Sequence, residues 1–156
     1  MRLRTIGRRD RFSDDLCVAM SDLEQQSSTN TGLNLTVALD YGGRQDISNA
    51  VTRIAEELES GMLTAAEIND DLLKSRMQTK ILPPVDLLIR TGGEQRLSNF
   101  LLWDLSYAEL FFSAKLWPDF TTTDFVEALD WFEQRQRRFG GGRYDDKHQL
   151  HAVVSD

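Results

Sequence analysis

Polar and apolar or β-branched positions alternate along Arg2-Leu3-Arg4-Thr5-Ile6 until Gly7, the pattern of a short strand with one buried face. From Ser13, a suitable N-cap, Leu16, Ala19, Met20 and Leu23 recur at helical spacing, and Thr29-Asn30-Thr31-Gly32 ends the run. Residues 33–39 read as a second strand. After Asp40-Tyr41-Gly42-Gly43-Arg44 comes a helix with Ile47, Ala50, Val51, Ile54, Ala55 and Leu58 on one stripe, ending at Gly61. Thr64-Ala65-Ala66-Glu67 has capping-box spacing and predicts another helix, which Pro83-Pro84 stops before a strand over residues 85–89. The apolar and aromatic stretch over residues 99–112 predicts a short helix and then a strand near Leu110. Trp117-Pro118-Asp119-Phe120 reads as a turn. Phe125, Ala128, Leu129, Phe132 and Phe139 mark a closing helix with Arg135, Arg137 and Arg138 near its C-terminal end, before Gly140-Gly141-Gly142. Strands alternating with helices predict an α/β fold, a largely parallel sheet with helices on both faces, and such sheets hold ligands at the C-terminal ends of their strands. The loops after Leu39 and Ile89 are therefore the places where chemistry is expected.

Composition narrows the class. The 156 residues include 18 Lys plus Arg and 25 Asp plus Glu, a formal charge of -7, and 40% are hydrophobic. A single domain of this size buries roughly 70% of its unfolded surface, so the core needs no metal or disulfide. The acidic balance argues against broad contact with nucleic-acid phosphates. The lone Cys17 has no internal disulfide partner and reads as a small core residue of the first helix, in keeping with a reducing, cytoplasmic setting. No run approaches the roughly 18 apolar residues of a membrane span, and the charged start leads into no signal-peptide core.

Against this acidic background, Arg90-Thr91-Gly92-Gly93-Glu94-Gln95-Arg96-Leu97-Ser98-Asn99 concentrates two arginines, two glycines, a hydroxyl and an amide in ten positions. Arginine's planar fork matches phosphate oxygens, Ser98 can donate a further hydrogen bond, and backbone N–H groups freed by glycine can complete a cradle for an oxyanion. Spacing alone leaves open a second reading, a solvated loop with surface ion pairs. His148 and His151 stand three apart in a polar tail without cysteine ligands and read as solvated.

The ordered blocks Asn30-Thr31-Gly32-Leu33, Tyr41-Gly42-Gly43-Arg44, Pro84 through Glu94, Arg96-Leu97-Ser98-Asn99-Phe100-Leu101-Leu102-Trp103, Tyr107-Ala108-Glu109-Leu110, Leu116-Trp117-Pro118-Asp119-Phe120 and Arg137-Arg138-Phe139-Gly140-Gly141 are spread in order over residues 30–141. Together they resemble the cis-prenyltransferase family, specifically the bacterial undecaprenyl pyrophosphate synthases or isoprenyl transferases. The resemblance implies a magnesium-dependent transferase that adds isopentenyl pyrophosphate in cis to an allylic pyrophosphate primer, making polyprenyl pyrophosphate. It implies that Arg90, Arg96 and Ser98 grip the isopentenyl pyrophosphate and that Glu109 helps hold Mg2+, although Glu109 alone would be read as a surface carboxylate. Arg138 and Gly140 resemble the family's Arg-X-Gly element, which reaches into a partner subunit's site in a homodimer or heterodimer. Ordinary capping of a helix end by basic residues is the alternative for that segment. Membrane contact is expected only peripherally, through a lipid product.

The family's first strand-to-helix turn carries an Asp-Gly-Asn-Gly-Arg-Trp block with an essential aspartate, and this sequence has none. Residues 1–142 are therefore expected to be the C-terminal portion of a cis-prenyltransferase domain, truncated at the N-terminus, with residues 143–156 a mobile polar tail. No catalytic residue is assigned. A noncatalytic subunit or fragment that binds pyrophosphate and supports a partner synthase is the alternative. Loss of a sheet strand is expected to leave unpaired edges and uncovered apolar surface. Asp40 stands where the family usually has asparagine, adding a negative charge near the expected pyrophosphate. The isolated 156-residue chain should not elongate a prenyl chain; metal-dependent incorporation of labelled isopentenyl pyrophosphate by the pure chain would overturn this.

Overall fold

The structure is a computed structural model and describes residues 1–135. In chain order it contains β1 (Arg2–Gly7), α1 (Asp14–Gln26), β2 (Asn34–Leu39), α2 (Gly43–Glu59), α3 (Asp70–Arg76), β3 (Leu87–Arg90), β4 (Glu109–Phe112) and α4 (Thr122–Glu133), with single 3-10 turns at Ala65–Glu67, Gln78–Ile81 and Trp117–Asp119. Strand pairing is parallel throughout, as expected of an α/β fold, and among the described residues it forms two ladders: β1 with β2 in register Arg2 to Asn34, and β3 with β4 in register Leu87 to Glu109. Buried Ile6 of β1 packs with Leu101 and Leu105, and Ala38, Tyr41, Leu82, Val85, Leu88, Leu97 and Ala108 close around them. This apolar cluster joins the two ladders, which share no backbone hydrogen bonds.

Three expectations need correction. The Thr64 capping box exists, with Glu67 Oε2 accepting from the Thr64 N–H at 2.8 Å and hydroxyl at 2.7 Å, but it starts one 3-10 turn only. The helix begins afterwards, at α3, where Asn69 Oδ1 accepts the Leu72 N–H at 2.9 Å. Residues 99–108 form successive turns instead of a short helix, because Ser98, Asn99 and Leu101 adopt φ values of 47°, 67° and 43°, which a right-handed helix cannot contain. Cys17 is half-buried, its thiol directed at the Arg9 carbonyl at 3.4 Å, and Met20 is the one α1 residue in the core, while Leu16, Val18 and Leu23 are exposed. Uncovered apolar surface is thus present. The outer edge of β1, by contrast, is satisfied: the N–H groups of Leu3, Thr5 and Gly7 donate to Ser27 Oγ at 3.0 Å, Glu24 Oε1 at 2.6 Å and Gln78 Oε1 at 2.7 Å.

Gly7 ends β1 at φ 108°, and a Cβ there would lie 2.0 Å from the Leu39 carbonyl oxygen, so no other residue fits where β1 and β2 close together. Beyond β4, Lys115 Nζ meets Asp124 Oδ1 at 2.5 Å, and the Thr121 N–H and hydroxyl donate to Asp124 Oδ2 at 2.8 and 2.7 Å, closing the α4 capping box.

Two measurements follow from this packing. Asp46→Ala removes a carboxylate only 2% exposed that accepts from the Gln78 N–H and the Tyr41 hydroxyl, and urea denaturation should show a loss of about 3 kcal/mol, since two buried donors lose their acceptor. The Lys115 ammonium first, then the Thr121 hydroxyl and N–H, push the Asp124 carboxyl down to about 2. Its folded value lies below its unfolded one, so the stabilisation is present above about pH 4 and disappears as pH falls towards about 2. Asp124→Asn should flatten that acid limb in melting curves taken over the same range.

Candidate functional site

β3 delivers Arg90 to its C-terminal end, and the following loop turns back over it. Arg90 Nη1 donates to the Arg96 carbonyl and, at 3.0 Å, to Ser98 Oγ. Arg90, Arg96 and Ser98, far enough apart in sequence to require a tight fold-back, line one cavity of about 310 Å³ with Leu88, Ile89, Leu97 and Phe100. The predicted grouping of these three is therefore met in space. Ser98 accepts from Arg90, which leaves its own hydroxyl hydrogen available to an incoming acceptor. Arg96 is mostly exposed and pairs with Glu94 through Nη1.

The glycines act differently from expectation. Gly92 and Gly93 take φ values of 89° and 79°, but their N–H groups donate to the Lys115 carbonyl at 2.7 Å and the Ser113 carbonyl at 2.9 Å. They tie the loop to the segment after β4 and do not present amides to an anion.

At the neighbouring strand end, Asp40 has φ 46° and lies 3.6 Å from Arg11 Nη1 and 4.0 Å from Arg8 Nε. The extra negative charge flagged in the sequence thus has two cationic neighbours. Tyr41 donates its hydroxyl to Asp46 Oδ2 at 3.1 Å. Burial first, and then the Asp46 carboxylate, raise the Tyr41 phenol well above its ordinary value and keep it a neutral donor. Sequence reasoning missed Asp46, a carboxylate on the buried face of α2 whose only sequence signal is a polar residue within an apolar helical stripe, and it placed Asn99 in the oxyanion-binding run without foreseeing that its side-chain Oδ1 and backbone carbonyl accept from the first turn of α2.

Glu109 lies elsewhere. It opens β4 opposite Leu87, whereas Arg90 lies opposite Phe112, so three register steps, roughly 10 Å, separate the two along the ladder. Its Oε2 accepts from Arg135 Nε at 3.4 Å, and Arg135 also sits 4.7 Å from the centre of the Trp131 ring. No group of three His, Cys, Asp or Glu able to hold a metal occurs among the described residues. As a hard-oxygen donor Glu109 fits a magnesium ion as one ligand, but these residues do not by themselves make a complete site. Arg138 and Gly140 lie outside the described residues, as does the tail.

Residues 1–140 match the family described as "Putative undecaprenyl diphosphate synthase". The chain belongs to this family. It is 48% identical over 141 residues to an isoprenyl transferase of Rhodopirellula baltica and 46% identical over 147 residues to a ditrans,polycis-undecaprenyl-diphosphate synthase of Escherichia coli, covering 90% and 94% of this chain and 58% of each relative. Among solved structures, lavandulyl diphosphate synthase of Lavandula x intermedia, in complex with dimethylallyl diphosphate, superposes with a TM-score of 0.86 at 40% identity. That match covers 89% of this chain and 60% of the lavender protein. A probable undecaprenyl diphosphate synthase of Campylobacter jejuni gives a TM-score of 0.75 at 35% identity, over 89% and 62%. The chain thus spans a little under two thirds of the length of these family members.

Proposed function

We propose that this chain carries the isopentenyl pyrophosphate half of a cis-prenyltransferase, an enzyme that transfers prenyl groups in cis onto an allylic prenyl pyrophosphate primer to build polyprenyl pyrophosphate of the undecaprenyl type. The observation that carries the reading is the convergence of Arg90, Arg96 and Ser98 on one cavity at the C-terminal end of a parallel strand. Two guanidinium groups offset the charge of the diphosphate, Arg90 by turning donors from the loop to the ligand, and Ser98 adds a neutral donor that fixes orientation. The apolar side of the cavity, with Leu88, Leu97 and Phe100, suits the start of a hydrocarbon chain.

Magnesium, when bound, offsets charge on the departing diphosphate. Glu109 is the residue through which this chain would hold it, substrate oxygens and further ligands completing the coordination. We further read residues 1–142 as the C-terminal portion of the enzyme domain, with Arg138 and Gly140 as substrate-binding residues contributed to the partner subunit of a dimer. The setting is cytoplasmic, with lipid reached through the product; no helix among the described residues is long and apolar enough to cross a membrane.

Calorimetric titration with isopentenyl pyrophosphate tests the reading. Saturable binding is expected, and Arg90→Ala should weaken it about thirtyfold, the effect of losing charge-assisted hydrogen bonds. Absence of binding by the unaltered chain, or indifference to Arg90→Ala, would overturn the assignment.

A further inference from the structure

Helix α2 begins beneath the cradle loop without a cap of its own. Gly42 holds the cap position and has no side chain to accept a hydrogen bond, while Gly43 behind it is buried. The acceptors come from Asn99, 55 positions further along the chain. Its backbone carbonyl takes the Gly43 N–H at 2.7 Å and its Oδ1 takes the Arg44 N–H at 2.8 Å. One residue thereby satisfies two of the donors that every helix leaves open at its start. Asn99 reaches them at φ 67°, a left-handed conformation that asparagine tolerates better than most residues.

The partner surface is cut to fit. A Cβ on Gly42 would stand 2.8 Å from Asn99 Nδ2, and one on Gly43 would stand 3.0 Å from Leu102 Cγ and backbone N. Adjacent glycines are what lets the loop settle on the helix end.

Around Ser98 the cradle loop is therefore pinned on two sides. On the inner side Arg90 Nη1 holds the Arg96 carbonyl and the Ser98 hydroxyl, and on the outer side Asn99 holds α2. Ser98, itself at φ 47°, lies between them. An anion entering the cavity competes for Arg90, so the inner pin weakens as the site fills, whereas the outer pin joins groups that carry no formal charge. We propose that Asn99 is a positioning residue: by capping α2 from outside the helix it keeps the Ser98 hydroxyl in line with Arg90 while the guanidinium changes partners. The proposal rests on reading the cavity as a diphosphate cradle and adds to it the residue that keeps the cradle in shape.

The test titrates the full chain with inorganic pyrophosphate. Asn99→Gly keeps the left-handed backbone and the carbonyl acceptor and removes Oδ1, and it should weaken binding about tenfold, the scale of one hydrogen bond. Gly42→Ala, allowed by its φ of -142°, should weaken binding similarly by pushing the Asn99 amide away. The same alanine should cost no more than about twofold in the Asn99→Gly background, where nothing remains to push, a non-additivity that a general loss of stability does not produce. Unchanged pyrophosphate binding by both single variants, or a merely lowered melting temperature, would overturn the proposal while leaving the cradle reading intact. No binding by the unaltered chain would remove the two together.

Discussion

The Asp46 side chain is almost wholly withdrawn from water in the first turns of α2, and a carboxylate in that position must be met by donors from elsewhere in the fold. It is met twice, by the Gln78 N–H at 2.7 Å and by the Tyr41 hydroxyl at 3.1 Å. Through Gln78, whose side chain accepts from the Gly7 N–H, the constraint passes to the end of β1. Through Tyr41, edge-on to Phe100 with ring centres 6.1 Å apart, it passes towards the segment that follows the cradle. One buried charge thus fixes where β1, β2, α2 and the Gln78–Ile81 turn meet, and the start of α2 on which the cradle loop rests inherits its position from that junction.

The site itself is an electrostatic exception in an acidic chain. The formal charge of the whole molecule is -7, so the diphosphate binding proposed above would depend on a local arrangement and not on the average field. Arg90 provides this by being placed at a strand end, where the backbone stops and the side chain projects beyond the ladder. Its hydrogen bonds to its own loop order that loop before any ligand arrives, which reduces the entropy that binding would otherwise have to overcome. Gly92 and Gly93 serve the same purpose from below, spending their N–H groups on the Lys115 and Ser113 carbonyls.

In this member of the undecaprenyl diphosphate synthase family the Arg90 cavity lies at a strand end and, roughly 10 Å along the same ladder, the Glu109 carboxylate is held beside Arg135. These features share a pair of short strands, so their separation is set by β-sheet geometry and not by loop conformation. The exposed Leu16, Val18 and Leu23 of α1 show that burial is uneven, and the side-chain protection of the β1 edge by Ser27, Glu24 and Gln78 shows that a lone strand edge can be satisfied without a neighbouring strand.

Much of this was legible in the residues. Alternation located β1, apolar runs located β2 and β3, the apolar and aromatic stretch pointed to β4, and period-3.6 patterning located helices α1, α2 and α4, while the density of Arg90, Arg96 and Ser98 around two glycines marked the cavity-lining loop in an otherwise acidic chain. The sequence could not reveal that the Thr64 capping box would close a single turn, that residues 99–108 would wind through left-handed positions, or that Gly92 and Gly93 would bond the segment after β4. The bonds of Gly92 and Gly93 depend on partners twenty or more positions away in the chain, and a local propensity yields whenever a tertiary hydrogen bond is worth more. The clearest case is Asn99: its type and place beside Ser98 suggest a turn, but its bonds to the start of α2, 55 residues earlier, exist only because the fold brings a bare glycine helix end beneath it. The sequence by itself determined the parallel α/β elements and the concentration of Arg90, Arg96 and Ser98 after β3; the tertiary structure alone decided what holds them in place, since the donors and acceptors involved are paired across space and carry no local pattern.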